Sequence, residues 1–362
     1  MALKIGVDFN FWNDILQKIE SKDMIPIKFF WDTFVISDIK RVEMGFDIVN
    51  KDLVIKNFVY PQKYSPLRSF VRSLGAKIKD VSFLNWPSRE VIQELVFQNY
   101  SGLTNYVASL DSRIKYSQNV ADFCTQFKNV WAIIYPLIKD VLAFCDENFT
   151  GNTQSYANLQ SKDEIISSEG FGFFEGKGLK QEKVLSFMDK FAEKLKLSLK
   201  ELVDKKLFGW EVCKDISLNV KKSVDKHRNC DIDQIFWKGK GNDAHCPIWF
   251  TVYKNYLLYA DNVGNLKRLI ERMEEIKTFS YLPKESGCFS RTKVNFASVM
   301  HTLKIPNSKQ IPELWVDITC ILNEDKDVLV NTVKVPCFLD VFSLKTILPS
   351  VKENARKESI SN

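Results

Sequence analysis

The stretch KRVEMGFDIVNKDLVIKNFV, residues 40–59, decides the class of fold. Over residues 40–49 apolar side chains alternate with polar or small ones, which is the period of a strand with one buried face. The apolar members of this alternation are Val42, Met44, Phe46 and Ile48. Asn50-Lys51-Asp52 is a turn sequence, and the apolar run at 53–59 returns from it. Residues 40–59 are therefore predicted to form an antiparallel β-hairpin.

Two further hairpins are predicted towards the C-terminal end. PIWFTVY at 247–253 and YLLYADN at 256–262 flank Lys254-Asn255, a pair of turn residues. LWVDITCIL at 314–322 and VLVNTVKV at 328–335 flank the polar turn NEDKD. Both pairs of segments are rich in β-branched and aromatic residues, which favours strands.

The remaining elements are predicted from periodicity and from capping residues. Helices are predicted at 11–22, 87–100, 117–145, 179–207 and 266–277, and single strands at 25–36 and 291–296. Pro136 is expected to kink or split the third helix. Ser198 with Glu201 forms a capping box that predicts two helices within 179–207.

Hairpins and helices occur in groups along this chain and do not alternate as βαβ units. This grouping favours an α+β fold with antiparallel sheets over a doubly wound fold. The polar and glycine-rich segment 148–178 is interpreted as a linker. It divides the chain into two predicted α+β domains, 1–147 and 179–350, and residues 351–362 are expected to be a frayed tail.

Composition places the chain among globular proteins. It has 362 residues, of which 45% are hydrophobic and 27% charged, and 27 are phenylalanine. The first residues lack the apolar run of a signal peptide, and no apolar stretch is long enough to predict a membrane span. With eight cysteines at irregular spacing, the expectation is a soluble cytoplasmic protein with reduced thiols.

The segment GFGFFEGKG, residues 170–178, raises the question of a phosphate-binding loop. A dinucleotide fingerprint needs a different glycine spacing after a buried strand, and a P-loop needs Ser or Thr where Gly178 follows Lys177. The interpretation is a flexible joint between the domains, with an anion site at the following helix as the alternative. No cofactor is predicted.

Excess positive charge is concentrated in residues 177–228. This segment contains 14 Lys and Arg and eight Asp and Glu, so its own net charge is +6. The net charge of the whole chain is also +6. A lysine-rich helix can bind a phosphate backbone by releasing counterions, so nucleic acid, RNA in particular, or another polyanion is a predicted partner. The residues assigned to this site are Lys177, Lys180, Lys183, Lys190, Lys194, Lys196, Lys221, Lys222, Lys226 and Arg228. A smaller basic stretch occupies 61–80.

Two groups of carboxylates offer an alternative function. Asp231 and Asp233 lie on one face of a predicted strand, the arrangement that holds magnesium in nucleotidyl-transferase sites. KIGVDFNFWNDIL at 4–16 resembles the opening of PIN-type nucleases, in which an Asp after the first strand helps to bind metal. That resemblance implies a metal-binding role for Asp8. The alternative is a metal-dependent phosphoester enzyme.

A histidine and cysteine cluster is the last candidate site. His227 and Cys230 have the spacing of a zinc-ligand pair, and His245 and Cys246 follow. Adjacent residues of a strand point to opposite faces, so only one of the second pair would bind the metal.

The leading hypothesis is a protein that works by binding or assembly, because the sequence has no familiar catalytic motif. A self-assembling structural protein is the third hypothesis, based on the abundance of aromatic residues. Self-association is accordingly a predicted property.

Overall fold

The structure is a computed structural model. It describes residues 3–9, 25–33, 35–78, 82–86, 90–117, 122–162, 165–207, 215–239, 244–275, 280–282, 287–304, 314–323 and 326–336.

The described strands form a 13-stranded sheet in which every neighbouring pair is antiparallel. The strands are β1 Leu3–Asp8, β2 Ile39–Val49, β3 Asp52–Pro61, β4 Ile92–Phe97, β5 Phe149–Lys162, β6 Ile165–Gly176, β7 Ser217–His227, β8 Cys230–Lys238, β9 Ala244–Tyr253, β10 Tyr256–Ala260, β11 Cys288–Asn295, β12 Trp315–Asn323 and β13 Val328–Val335. Their order in the sheet is β1-β2-β3-β13-β12-β11-β4-β5-β6-β10-β9-β8-β7.

Seven α-helices lie within the described residues. They are α1 Ile25–Thr33, α2 Pro66–Ile78, α3 Tyr100–Tyr116, α4 Asp122–Asn148, α5 Gln181–Asp204, α6 Val263–Glu275 and α7 Phe296–Thr302. The predicted α+β class is confirmed. None of the described helices is long and apolar enough to cross a membrane.

The three predicted hairpins are confirmed. In the first, β2 pairs with β3 and places Phe46 opposite Ile55, as the alternation requires. Asn50 and Lys51 take positive φ angles of 50° and 71° in the turn, a conformation that Asn tolerates better than most residues. Pairs β9–β10 and β12–β13 form the other two hairpins.

The prediction of a linker at 148–178 is wrong, because most of this segment forms β5 and β6 near the middle of the sheet. Glycine and phenylalanine alternate there for a structural reason. Phe171 and Phe173 belong to one buried cluster, while Gly172 lies on the opposite face beneath the ring of Tyr259. A Cβ at Gly172 would lie 2.5 Å from the Tyr259 hydroxyl, so the close approach of that ring requires glycine. The expected flexible joint is thus part of a strand, whereas the division into two domains stays a prediction.

Two other segments differ from their predictions in type. Residues 25–36 are predicted as a strand, but 25–33 form α1, whose Phe29 and Phe30 both pack edge-on against Phe127. Within the predicted helix 87–100, residues 92–97 form β4 between β11 and β5. In both cases contacts with elements distant in the sequence override a weak local pattern.

The long helices are confirmed. α4 continues through Pro136, so it is not split there, and a kink at Pro136 stays a prediction. The predicted second helix start at Ser198 is wrong, because α5 continues through that residue. The predicted helix at 11–22 and the tail 351–362 lie outside the described residues.

The inner strands β5, β6, β8, β9 and β10 carry helices on both faces. On one face α6 contributes Leu266, Leu269, Ile270 and Met273 to a buried cluster with Phe173 and Leu258. On the other face residues of α3, α4 and α5 pack on Phe174, Leu257 and Phe250. Alternate residues of the same strands therefore fill two separate cores.

Candidate binding groove

The basic segment 177–228 folds into α5 and the edge strand β7, and part of the connection between them lies outside the described residues. α5 begins after Lys180 and buries Val184 and Leu202 against the rest of the chain. Its lysines lie on the exposed side of the helix, as the amphipathic pattern requires.

Carboxylates of α4 pair with the first lysines of this segment. Lys183 lies 2.8 Å from Glu147, and Lys194 lies 2.5 Å from Asp140. Lys177 donates to the backbone carbonyl of Asp146 at 2.7 Å. The charge of these lysines is thus opposed within the chain itself.

The basic residues of β7 also make contacts within the chain. Lys222 lies 2.6 Å from Asp189 of α5, and Arg228 contacts Glu274 of α6. Lys221 lies over the ring of Phe236, 4.9 Å from its centroid. Among the described residues, four of the ten assigned basic side chains make no such ion pair, carbonyl contact or ring contact. These four are Lys180, Lys190, Lys196 and Lys226.

An aromatic groove lies between α4 and α5, next to these charges. Phe144 of α4 and Phe187 of α5 stack with ring centroids 4.0 Å apart, and Phe187 stacks in turn on Phe191 at 5.9 Å. The groove encloses about 610 Å³. All three residues are only partly buried, so a part of each side chain remains exposed at the groove.

The rim of the groove is charged. Asp140 and Glu147 stand on α4, and Asp189 and Glu193 stand on α5. The cations among the lining residues are Lys190 and Lys194. The lining itself has four carboxylates and two ammonium groups, but Lys183 and Lys222 beside the groove pair with Glu147 and Asp189.

A smaller cavity of about 370 Å³ lies beside α6. It is lined by Arg268 and Arg272 of α6 together with Glu90, Glu169 and Phe171. Arg272 lies 3.5 Å from Glu90, so opposite charges of the lining compensate one another. Most of its lining residues are polar or charged, so it offers a ligand fewer apolar contacts than the groove does.

The two predicted strand carboxylates have different environments. Asp233 is 1% exposed, and its carboxylate accepts hydrogen bonds from the backbone N–H of Ser223, at 2.7 Å, and from the side chain of Gln181. Gln181 also accepts from the backbone N–H of Val252, so Asp233 connects the start of α5 to β7 and β9. Asp231 is exposed on the same strand. The described contacts of Asp233 are those of a structural carboxylate.

The other residues that the sequence predicts as metal ligands lie at separate places in the structure. His227 and Cys230 face each other at the end of the β7–β8 hairpin, where His227 Nε2 lies 3.1 Å from Glu271. Burial raises the pKa of the Cys230 thiol, which disfavours the thiolate that metals bind. Cys246 is exposed on β9, next in sequence to His245, and Asp8 ends β1 opposite Arg41. In the described part of the chain, no group of three or more His, Cys, Asp or Glu residues is placed to hold a metal ion.

The sequence alone does not predict the groove. Phe187 and Phe191 are four residues apart on a helix, which indicates a shared face but is equally typical of a core-facing stripe. Only the packing of α4 beside α5 brings the ring of Phe144 against the ring of Phe187. Comparisons of the chain with protein-family models, with curated proteins and with solved structures found no match.

Proposed function

We propose that this chain is a binding protein whose α4–α5 groove takes an amphipathic helix of a partner protein. The observation that carries the proposal is the row of partly exposed aromatic rings formed by Phe144, Phe187 and Phe191. Aromatic rings in a groove between two helices provide the apolar anchor sites that helix-in-groove recognition uses.

The charges of the rim favour a basic partner helix. Three of its four carboxylates already face a lysine of the chain, whereas Glu193 has no ion pair among the described residues. A helix with leucine on one face and lysine on its flanks would place apolar side chains on the rings. Its lysines would then lie near the rim, where Glu193 offers a carboxylate that no ion pair of the described chain already engages.

Two synthetic 18-residue helices test this proposal, one built of leucine and lysine and the other of leucine and glutamate. Fluorescence anisotropy is expected to show binding of the leucine–lysine peptide and much weaker binding of the leucine–glutamate peptide. Phe191→Asp is expected to weaken the first interaction by roughly 10- to 100-fold, the loss of one anchor residue.

The charge change of Phe191→Asp makes the test specific. A purely electrostatic attraction would strengthen when a carboxylate is added, whereas binding in the groove weakens. Tyr64→Asp is the matched control, because Tyr64 is exposed on the surface outside the groove and receives the same charge. Equal affinities of Phe191→Asp and Tyr64→Asp, with both variants folded by circular dichroism, would refute the groove as the binding site.

Binding of a polyanion is the second candidate function. It is supported by four lysines, Lys180, Lys190, Lys196 and Lys226, that are exposed and lack an ion pair within the described residues. Binding of single-stranded RNA and DNA is expected at low salt and is expected to weaken as salt rises. Replacing Lys190 and Lys196 by glutamine should weaken it further, and no measurable affinity at low salt would dismiss this candidate.

A further inference from the structure

The smaller cavity is lined by residues of α6, β5 and β6. Phe171 of β6 packs against the buried cluster that contains Leu269 of α6, and both residues line the cavity. Glu169 precedes Phe171 by two residues and therefore lies on the same face of β6. The volume of the cavity, about 370 Å³, lies at the lower end of the range of ligand sites in proteins, which fits a small molecule.

Two arginines of α6 bring positive charge to this cavity. Arg268 and Arg272 are four residues apart, so they lie on the same side of the helix. Arg272 lies 3.5 Å from the buried carboxylate of Glu90, and this pair belongs to the fold itself. Arg268 donates to the side chain of Asn265 at 2.6 Å but makes no ion pair with a described residue. A guanidinium group has five N–H donors, so Arg268 can still bind an anion.

The strands bring an acceptor and a donor to the cavity. Glu169 is half-buried, and its carboxylate makes neither an ion pair nor a hydrogen bond with a described residue. Asn158 of β5 lies opposite Glu169 in the pair of strands. The side-chain oxygen of Asn158 accepts from the backbone N–H of Val91 at 3.2 Å, which leaves its amide N–H groups without a partner in the described chain. Glu169 can therefore accept hydrogen bonds from a cationic group of a ligand.

The charges of the lining favour a ligand that carries both signs. Two guanidinium groups and two carboxylates make the lining neutral as a whole. A ligand with an anion alone would pair with Arg268 but would meet the carboxylate of Glu169, and a ligand with a cation alone would meet the guanidinium group. A molecule with one charge of each sign satisfies both residues, and Phe171 and Leu269 offer apolar contacts to the carbon atoms between its charges.

We propose that this cavity binds a small zwitterion, a molecule with one carboxylate and one ammonium group, such as a free amino acid or a short peptide. The carboxylate of the ligand accepts hydrogen bonds from Arg268, and its ammonium group donates to Glu169. The site shares no lining residue with the α4–α5 groove, so neither proposal depends on the other.

Three compounds with the same carbon chain test the need for both charges. They are 4-aminobutanoate, butanoate, which lacks the ammonium group, and butylamine, which lacks the carboxylate. Titration calorimetry is expected to show that 4-aminobutanoate binds roughly tenfold or more tightly than either of the others, the loss of one hydrogen bond to a charged group. Butanoate or inorganic phosphate binding as tightly as 4-aminobutanoate would overturn the proposal, because the cavity would then be an anion site.

Glycine and triglycine distinguish the two sources of a zwitterion. Tighter binding of triglycine supports the ends of a short peptide as the ligand, and tighter binding of glycine supports a free amino acid. No measurable binding of glycine, triglycine or 4-aminobutanoate would overturn the proposal.

Two substitutions test the assigned roles and leave the pair of Arg272 and Glu90 intact. Glu169→Gln should abolish the preference for 4-aminobutanoate over butanoate, and Arg268→Gln should abolish the preference over butylamine. General damage to the fold would lower all affinities without these separate changes in preference, and circular dichroism checks that each variant is folded.

Matched controls remove the same charges elsewhere. Lys115→Gln and Glu182→Gln change exposed residues that do not line the cavity and should leave both preferences unchanged. Preferences that persist in both Glu169→Gln and Arg268→Gln, as they do in the controls, would overturn the proposed site.

Discussion

The inner strands of the sheet and its outer end at β1 and β2 are built from similar apolar residues but have different environments. On β10, Leu258 is fully buried between α6 and the neighbouring strands. On β1, Leu3 is 54% exposed, and β1 contributes no residue to the buried clusters of the described chain. Apolar alternation alone therefore does not determine how strongly a strand is held, because that depends on whether helices cover it.

Polar contacts tie the outer end of the sheet to the rest of the molecule. Arg113 of α3 donates to Asp38, which precedes β2, at 2.7 Å. Glu43 of β2 is buried and contacts Lys4, Arg41 and the hydroxyl of Tyr60. The inner part is thus stabilised mainly by apolar burial, and the outer part depends more on charged groups.

The largest expected effect concerns the inner strands. Leu258→Ala should lower the free energy of unfolding by about 3–5 kcal/mol, because it leaves a cavity in a fully buried cluster. Leu3→Ala is the matched control and should cost about 0.5 kcal/mol or less. Chemical denaturation of the two variants measures the difference, and similar losses would show that apolar burial holds both regions equally.

Removal of Arg113 should have the next largest effect. Arg113→Ala leaves the buried carboxylate of Asp38 without its cation and should cost about 3 kcal/mol at neutral pH. Lys115→Ala, an exposed change on the same helix, should cost far less. Chemical denaturation at neutral pH compares the two variants, and equal losses would assign no special role to the contact with Asp38.

The loss caused by Arg113→Ala should depend on pH. Burial raises the pKa of Asp38, and Arg113 opposes that rise. Without Arg113 the pKa should rise further, so the folded state binds the proton more tightly than the unfolded chain does. Stability of the variant should therefore fall as pH rises from the ordinary carboxyl pKa through the folded-state pKa of Asp38. A loss that is independent of pH would show that Asp38 is not responsible.

Glu43 should give a pH dependence of the opposite sign. The contact with Lys4, followed by those with Tyr60 and Arg41, lowers the pKa of this carboxyl group. Its contribution to stability is present above the ordinary carboxyl pKa and is lost as pH falls through the lowered value. Glu43→Gln should flatten the acid limb of the stability curve, whereas Glu193→Gln on the exposed side of α5 should leave it unchanged. Thermal melts between neutral and acidic pH measure both.

The smallest expected effect comes from a single hydroxyl group. Tyr60 donates a hydrogen bond of 2.9 Å to Glu43. Tyr60→Phe should cost about 1 kcal/mol. A double-mutant cycle with Glu43→Gln should show that the two losses are not additive, because both residues belong to one cluster. Full additivity would mean that the hydroxyl acts independently of Glu43.

The sequence predicts those elements whose signal is local. The hairpin at 40–59 is confirmed because period-two alternation and a turn sequence occur together. β5 and β6 are missed because many of their residues are polar or glycine, which locally resembles a linker. Gln154 shows why such a strand can be stable: it is buried, its side chain donates to the carbonyl of Leu84, and it accepts from Tyr156.

For the candidate sites, too, the sequence shows the local features but not the contacts between distant residues. The charge excess of 177–228 is visible in the sequence, but several of the carboxylates that oppose it stand on α4 and α6, far away along the chain. The groove requires Phe144 and Phe187 to meet, which local periodicity does not predict.

By itself, the sequence determined the α+β class, the three hairpins, the long helices and the location of the positive charge. Each of these follows from neighbouring residues, since helix and strand periods and turn conformations are set over a few positions. Only the tertiary structure decided that GFGFF is an inner strand, that most of the assigned basic residues are engaged within the chain, and that β1 is left open among the described strands. Those outcomes depend on which distant residues come into contact, because burial and charge pairing are properties of the packed chain.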